Sequence, residues 1–310
     1  EISYYISNLS PDKNYIYEIK ALDSYGNHMG NSGRVLINTG EGKISANTVM
    51  YENRIYRRLK INGGTLNINT YSLLVDDSIS LLSGLVDIDE GILTSKGNVT
   101  QADCSVKING GQLLVDGDYI IKEDKEWSKS YLIMNKDEDY VLVKGNFVQH
   151  SYYDHRGKLT AGTLEVKGDF RQSSSGYAGN EFNFAASDKH KVILSGDKEQ
   201  RIYFENPSKS YFNILEINKQ QGSGLIFEPG LNTEEFITNG YILGDIAIER
   251  SWKLTSDEII EGTLYLRRLG SMVDLNSHSL TVKGNVMQTD CSMKINGGQL
   301  LVDGDYIIKE

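Results

Sequence analysis

The feature that most constrains the fold is a long internal repeat. Residues 96–123 and 283–310 are two copies of one segment, and they differ only at Thr100/Met287, Ala102/Thr289 and Val106/Met293. A shorter motif, apolar-x-apolar-x-Gly-Asn/Asp-apolar, recurs through the chain at variable spacing. Its glycines include Gly97, Gly117, Gly145, Gly168 and Gly196. Such recurrence predicts a small structural unit that is stacked many times, because one unit cannot bury its apolar face alone.

Each unit has the pattern of short β-strands separated by tight corners. Residues 164–167, Leu-Glu-Val-Lys, alternate apolar and polar side chains at a period of two, and Gly or Asn-Gly follows or precedes such runs. A stack of antiparallel hairpins is one solution. The variable spacing favours the other, an all-β parallel β-solenoid with coils of roughly 20–28 residues, because insertions can leave a corner while the strands stay in register. The predicted inward side chains are Leu113, Val115, Leu164, Val166, Leu280 and Val282, and the predicted outward ones are Lys144, Lys167 and Lys283.

Composition excludes several partners and environments. The net charge of −10 argues against binding to nucleic acid or to an anionic membrane surface. No apolar run is long enough to span a bilayer, so we expect no membrane insertion. Two cysteines, Cys104 and Cys291, cannot form a disulfide framework, and their equivalent places in the two repeat copies predict buried, unpaired thiols that are far apart along the rod.

The first 40 residues have a different pattern, which is similar to the last strands of a fibronectin type III domain. The residues that carry the resemblance are Leu9, Pro11, Tyr15, Tyr17, Ala21, Asp23, Gly26, Asn27, Val35, Ile37 and Thr39. The resemblance implies an incomplete β-sandwich over 1–40, with a tyrosine corner in which the Tyr15 hydroxyl bonds to the backbone. It also implies a unit separate from the solenoid at 41–310, and a chain that is one piece of a longer polypeptide, truncated inside its last coil.

Residues 191–218 resemble a unit of bacterial surface β-solenoids, in which a Gly-x-x-x-Gln-x-Ile stretch precedes Phe-Asn-x-Leu-x-Ile-Asn. The matching residues are Gly196, Gln200, Ile202, Phe212, Asn213, Leu215, Ile217 and Asn218. The repeats are also similar to the stalks of filamentous-haemagglutinin-type adhesins and of toxin-delivery proteins. This resemblance implies an extracellular or cell-surface location and a rod that serves as spacer and binding surface.

Two sets of charged side chains are candidates for chemistry, and each has a structural alternative. Asp116/Asp118 and Asp303/Asp305 flank corner glycines, where they could hold Ca²⁺ or act as paired carboxylates, but short carboxylates also satisfy backbone amides at tight corners. We favour that second role. His150, Asp154 and His155 are ligand types for Zn²⁺ or Fe²⁺, yet a solvated insertion is the better interpretation, so no metal and no cofactor are predicted.

Tyrosines in two insertions are the candidate ligand-binding residues. Tyr152 and Tyr153 lie in the segment 150–158, and Tyr177 lies in 173–182. Exposed tyrosine rings stack on sugar faces, whereas the structural alternative is that they cover coil edges.

The repeats and the resemblances together predict a function without catalysis. We expect a structural stalk or adhesin segment of a large bacterial cell-surface or secreted protein, monomeric as this chain. A carbohydrate-binding module, with polysaccharide or another cell-surface component as partner, is the alternative. A polysaccharide lyase or hydrolase, or the delivery stalk of a polymorphic toxin, is less favoured.

Overall fold

The computed structural model describes most of the chain. The described ranges are 9–10, 12–20, 22–29, 33–122, 130–151, 154–174, 182–205, 209–219, 225–228, 233–238, 241–242, 244–248, 251–267, 270 and 272–309. Within these ranges the regular structure is β-strand, and no helix long and apolar enough to cross a membrane is found.

The strands are short and follow one another at the spacing of the sequence motif. In chain order they are β1 Asn14–Ile19, β2 Gly33–Ile44, β3 Thr48–Val49, β4 Asn53–Asn67, β5 Ser72–Val75, β6 Ile79–Asp87, β7 Ile92–Ser95, β8 Val99–Gln101, β9 Cys104–Lys107, β10 Gln112–Val115, β11 Tyr119–Lys122, β12 Leu132–Ile133, β13 Tyr140–Val143, β14 Phe147–Ser151, β15 Thr163–Val166 and β16 Phe170–Ser174. They continue as β17 Lys191–Leu194, β18 Gln200–Phe204, β19 Phe212–Ile217, β20 Leu225–Glu228, β21 Thr233–Thr238, β22 Tyr241–Ile242, β23 Ile246–Ile248, β24 Trp252–Lys253, β25 Glu258–Ile260, β26 Leu264–Arg267, β27 Met272–Asp274, β28 Ser279–Val282, β29 Val286–Thr289, β30 Ser292–Lys294, β31 Gln299–Val302 and β32 Tyr306–Lys309.

The chain forms a parallel β-solenoid of about 12 turns, which confirms the predicted class. The strands β7, β10, β13 and β15 show the principle, because each pairs in parallel with the next. Gln112 pairs with Ile92 and with Tyr140, and Tyr140 pairs with Thr163, so successive coils differ in length. The variation is accommodated between strands, while the paired strands themselves stay in register.

Each complete coil has three faces. Face one is the sheet that contains β10, face two contains β11 and face three contains β9, and each strand pairs with its counterpart in the next coil. In the second half of the chain, β25, β28 and β31 continue the face-two ladder that runs through β14, β16, β18, β20 and β22. The strands β26 and β29 form a separate four-stranded sheet with β23 and β32, and β24, β27 and β30 form a three-stranded sheet. Between the halves, β22 pairs with β20 on one side and β25 on the other.

The glycine corner is the turn at which the chain passes from face one to face two. The neighbouring coil lies so close to this turn that only glycine fits there. A Cβ atom on Gly145 would lie 2.6 Å from the backbone carbonyl of Gly117, and one on Gly117 would lie 2.8 Å from the carbonyl carbon of Gly97. Real Cβ atoms do not approach backbone that closely. The repeated glycine is therefore explained by close stacking of successive corners.

The core is the column of side chains that point into the coil. All six predicted inward residues are buried, and the three predicted outward lysines are exposed. An inward Val115 should have apolar neighbours in both adjacent coils, but its register partners are Val143 on one side and Ser95 on the other. Ser95 is buried as well, and its hydroxyl donates to the Gly97 carbonyl oxygen at 3.1 Å, so the hydrogen bond satisfies this polar group inside the column.

Aromatic side chains fill part of the column in the middle of the chain. Phe147 stacks on Phe170 with ring centroids 5.2 Å apart, and Phe184, Phe204 and Phe212 meet Phe170 at 4.9–5.4 Å. Stacked and edge-on rings of this kind add stability beyond their buried area.

The N-terminal segment is an antiparallel pair that runs into the solenoid. β1 pairs antiparallel with β2, and the Tyr15 hydroxyl accepts a hydrogen bond from the Ser10 backbone N–H at 2.9 Å. β2 continues past residue 40 and pairs in parallel with β4. A fibronectin type III sandwich is not confirmed, and Pro11 and Ala21 of the proposed match lie outside the described residues.

The two cysteines are free thiols with different environments. Cys104 is buried and its coil is covered by β12, whereas Cys291 is half-buried next to β30, the last strand of its sheet within the described residues. The expectation that both are buried is thus wrong for Cys291. Burial raises the pKa of the Cys104 thiol to about 12.

We therefore expect the two thiols to be labelled at different rates. An alkylating reagent should modify Cys291 in the native protein, while Cys104 should react only after denaturation, because it is the thiolate that reacts and Cys104 is both covered and protonated. Peptide mass spectrometry after timed alkylation measures the two rates. Equal rates would contradict the packing of the coil at Cys104.

Candidate functional site

The tyrosines proposed to bind sugar follow strands of neighbouring coils. Tyr152, Tyr153 and Tyr177 themselves lie outside the described residues. The strands that precede them are β14 and β16, whose last residues, Ser151 and Ser174, are register partners. The residues one position earlier, His150 and Ser173, are also in contact, since His150 Nδ1 lies 2.9 Å from Ser173 Oγ. The two insertions therefore start side by side at the same end of face two.

The carboxylates at the glycine corner bind backbone of the next coil. Asp118 Oδ1 accepts a hydrogen bond from the Asn146 backbone N–H at 2.7 Å, and Asn146 Oδ1 accepts one from the Asp169 N–H at 2.8 Å. The same contact occurs one coil earlier and one coil later. Asn98 Oδ1 accepts from the Asp118 backbone N–H, and Asp169 Oδ1 accepts from the Arg201 backbone N–H. We call the side chains of Asn98, Asp118, Asn146 and Asp169 the corner Asx ladder. The favoured interpretation of Asp118, a corner cap, is confirmed by this contact.

The neighbouring carboxylate, Asp116, lies between two lysines of adjacent coils. Its oxygens are 2.8 Å from Lys144 Nζ and 3.1 Å from Lys96 Nζ. The hydrogen bond from Lys144 is the largest cause of the lowered pKa of Asp116, and Lys96 adds to it. Asp116 is therefore ionised at neutral pH and ties three coils together.

The second repeat copy reproduces the contacts that Asp116 and Asp118 make with the preceding coil, through Lys96 and Asn98. Asp303 lies 3.1 Å from Lys283, and the Asp305 backbone N–H donates to Asn285 Oδ1 at 2.8 Å. The same local sequence thus makes the same coil-to-coil contacts in both copies. We interpret the carboxylates of Asp116, Asp118 and Asp303 as groups that hold adjacent coils together.

The histidine-rich segment is divided between different environments. His155 is buried and its Nε2 lies 3.0 Å from the Ser130 carbonyl oxygen, whereas Asp154 pairs with Arg156. The hydrogen bond from Arg156 lowers the pKa of Asp154. The expectation of a wholly solvated insertion is therefore wrong at His155, which packs edge-on against Tyr131 at 5.0 Å. Within the described residues, no group of three His, Cys, Asp or Glu side chains is placed to hold a metal ion.

The Gly-x-x-x-Gln stretch forms a polar plug inside the glycine corner. Gln200 Oε1 accepts from the Gly196 N–H at 3.0 Å, and Gln200 Nε2 donates to the Val166 carbonyl at 3.1 Å. The buried Lys219 side chain donates to Gln200 Oε1 and to the carbonyls of Gly196 and Lys198 at 2.7–2.8 Å. Desolvation lowers the pKa of Lys219 to about 8.

Sequence reasoning missed Lys219 and also two equivalent glutamines, of which Gln101 is buried and Gln288 is half-buried. Gln101 Nε2 donates to the Cys104 carbonyl at 2.7 Å, and its twin Gln288 makes the same contact with Cys291. A tyrosine hydroxyl donates to each glutamine, from Tyr119 and Tyr306 respectively. The signal was available, because Gln, Cys and Tyr keep the same spacing in both repeat copies.

The corner Asx ladder has a direct mutational test. Replacing Asp118 by Ala leaves the Asn146 N–H without its acceptor and should lower the free energy of unfolding by about 1 kcal/mol. Asp118→Asn should be nearly neutral, because Asn already occupies the equivalent place at Asn98 and Asn146. Chemical denaturation of the three proteins measures this difference. A loss for Asn as large as that for Ala would show that charge, not corner geometry, is the important property.

Comparison with protein-family models gave no match, and neither did comparison with curated proteins or with solved structures.

Proposed function

We propose that this chain is a non-catalytic structural segment, a stalk or adhesin rod, of a large bacterial cell-surface or secreted protein. The observation that carries the proposal is the use of the corner carboxylates. Asp116 contacts lysines and Asp118 contacts backbone of adjacent coils in one copy, and Asp303 contacts a lysine of the adjacent coil in the other. Side chains that contact neighbouring coils in a repeated manner specify a shape.

The geometry suits a spacer. About 12 turns with a strand spacing of ~4.8 Å correspond to a rod of roughly 60 Å. Each coil contacts only its neighbours, so the length scales with the number of repeats and the stiffness comes from continuous backbone pairing. We propose a monomeric rod without a cofactor.

The proposed location is extracellular or on the cell surface. The contact between Tyr15 and Ser10 has the geometry expected of a fibronectin type III tyrosine corner, and this supports assigning residues 1–40 to such a module. The stretch from Gly196 to Asn218, with its Gln200 plug, supports the resemblance to surface β-solenoids.

The location has a simple test in cells that express the full-length parent protein. Antibody raised against the chain should label intact cells or the culture medium, and external protease should remove the cell-bound signal. Labelling that requires permeabilised cells would contradict the proposal. A cytosolic protein serves as the control for lysis.

A carbohydrate-binding module is the second candidate. It is favoured because the two tyrosine insertions start side by side at the same end of face two. Ser151 and Ser174, the last strand residues before them, are register partners. The triple variant Tyr152→Ala, Tyr153→Ala, Tyr177→Ala should lose retention on cellulose, chitin, xylan or peptidoglycan without a change in melting temperature. If the unaltered chain is retained on none of these polymers, the stalk alone remains.

A further inference from the structure

Two depressions meet on the outer surface of the glycine corner. Their volumes are about 490 and 230 Å³, and Asn146 and Asp169 line both. Five cationic side chains surround them. We call this surface the cationic corner groove, and its cations are Lys144, Lys167, Arg171, Lys198 and Arg201.

The groove lies where a ladder of alternating charges stops. Lys96, Asp116 and Lys144 follow the ends of successive face-one strands, and each charge meets its opposite at 2.8–3.1 Å. The next coil places Lys167 at this position, and the coil after that places Ser195. Strict alternation would place an acidic residue at position 167, but the chain has a lysine there and a serine in the next coil. Lys167 therefore has no acidic neighbour on either side in this column.

The nearest carboxylate to Lys167 is already occupied. Glu165 Oε1 lies 3.9 Å from Lys167 Nζ, a long separation for an ion pair. Glu165 accepts hydrogen bonds from the hydroxyls of Tyr140 and Ser195. The Lys167 side chain is exposed, so its charge is directed mainly to solvent.

Two further cations of the groove, Arg171 and Lys198, form no ion pair within the described residues. The Arg171 guanidinium carbon lies 4.7 Å from the centre of the Tyr203 ring, its register partner on face two. An arginine stacked on an aromatic ring is a flat platform whose N–H groups remain available to a ligand. Lys198 is exposed at the rim of the larger depression.

The groove also holds carboxylates, which restrict the type of anion. The Asp169 carboxylate accepts a hydrogen bond from the Arg201 backbone N–H, and the Glu199 carboxylate lies 2.9 Å from the Arg201 guanidinium. The Asp197 side chain is exposed. A DNA backbone has no hydroxyl groups along its chain to donate to these three carboxylates. A ligand that carries both acidic groups and many hydroxyls would be bound by the cations and would donate hydroxyl hydrogen bonds to the carboxylates.

We propose that the cationic corner groove binds an acidic polysaccharide. Lys167, Lys198 and Arg171 bind its carboxylate or sulfate groups, and a sugar ring packs on the platform formed by Arg171 and Tyr203. Successive coils are ~4.8 Å apart, so a polymer running along the rod meets a new set of side chains at each coil. This activity goes beyond the stalk function and does not involve the tyrosine insertions.

The test compares binding of the full chain to polygalacturonate, dextran sulfate, uncharged dextran and poly(dT). Biolayer interferometry should detect one or both of the acidic polysaccharides, and the pair distinguishes a carboxylate from a sulfate ligand. The variant Lys167→Ala, Arg171→Ala, Lys198→Ala should weaken this binding about tenfold or more and reduce its salt dependence. Its melting temperature should remain unchanged, since all three side chains are exposed.

A matched variant controls for net charge. Lys13→Ala, Lys294→Ala, Lys309→Ala also removes three exposed cations, none of which lines the groove. It should bind like the unaltered chain. The proposal is overturned if both variants lose binding equally, if dextran binds as well as the acidic polymers, if only poly(dT) binds, or if neither acidic polymer binds. None of these outcomes affects the cell-surface labelling that tests the stalk.

Discussion

Replacing Val115 by Asp should lower the free energy of unfolding by about 3–5 kcal/mol, the usual cost of an unpaired charge in a protein core. Val115 is fully buried, with Val143 and Ser95 as its neighbours in the column. A carboxylate there loses its hydration and meets no cation among these neighbours. Urea or guanidinium unfolding, followed by circular dichroism, measures the loss.

The adjacent position provides the matched control. Leu114 points outward on the same strand, is half-buried, and pairs with Thr94 and Leu142. Leu114→Asp should cost about 1 kcal/mol or less, because its carboxylate reaches water. Similar losses for the two variants would contradict the assignment of inward and outward positions on face one.

The second large effect is a loss of stability in acid through His190. This side chain is fully buried, packs against Phe184, and has no hydrogen-bond partner at either ring nitrogen within the described residues. Desolvation lowers the pKa of His190 from 6.5 to about 3. Between these values the unfolded chain binds a proton that the folded chain does not.

The sign follows from proton linkage. The free energy of unfolding contains the full contribution of neutral His190 above pH 6.5, and it falls by about 1.4 kcal/mol for each pH unit between 6.5 and 3. His190→Leu removes this titration, so its stability should fall less steeply in acid. Urea titrations at pH 7, 5.5 and 4 give the slopes for both proteins.

Other groups also titrate, so the comparison needs a control. The lowered pKa values of Asp116 and Asp154 remove stability from every variant in acid. His278→Leu changes a half-buried histidine that lies 3.7 Å from Asp257. It should leave the steep acid slope of the unaltered chain in place. Equal slopes for His190→Leu and the unaltered chain would show that His190 is protonated in the fold.

Much of the fold was predictable because the pattern is local. The alternation in each strand identified inward residues such as Leu164 and outward ones such as Lys167, and the Gly-Asn/Asp motif identified the corners. The corner role of Asp118 followed from the short reach of its carboxylate. These properties depend on a few consecutive residues, so the sequence contains them directly.

The remaining features depend on which residues stack between coils of unequal length. Ser95 lies beside Val115 because the length of chain that connects them brings these two positions of adjacent coils into register. Lys219 contacts Gln200 from the following coil. Cys291 is half-buried although its twin Cys104 is covered, because nearly identical local sequences have different neighbours. The groove at Lys167 likewise arises from the stacking order of three coils.

Sequence-adjacent coils stack in parallel and in register, and engineered disulfides test this stacking. In a background with Cys104→Ala and Cys291→Ser, the pair Leu114→Cys and Leu142→Cys occupies register partners on adjacent coils, a separation that suits a disulfide. The pair Leu114→Cys and Glu165→Cys skips one coil and is too distant, at about 10 Å. Mass spectrometry after mild oxidation should find the first disulfide and not the second. A disulfide in the second pair, or none in the first, would contradict the solenoid register.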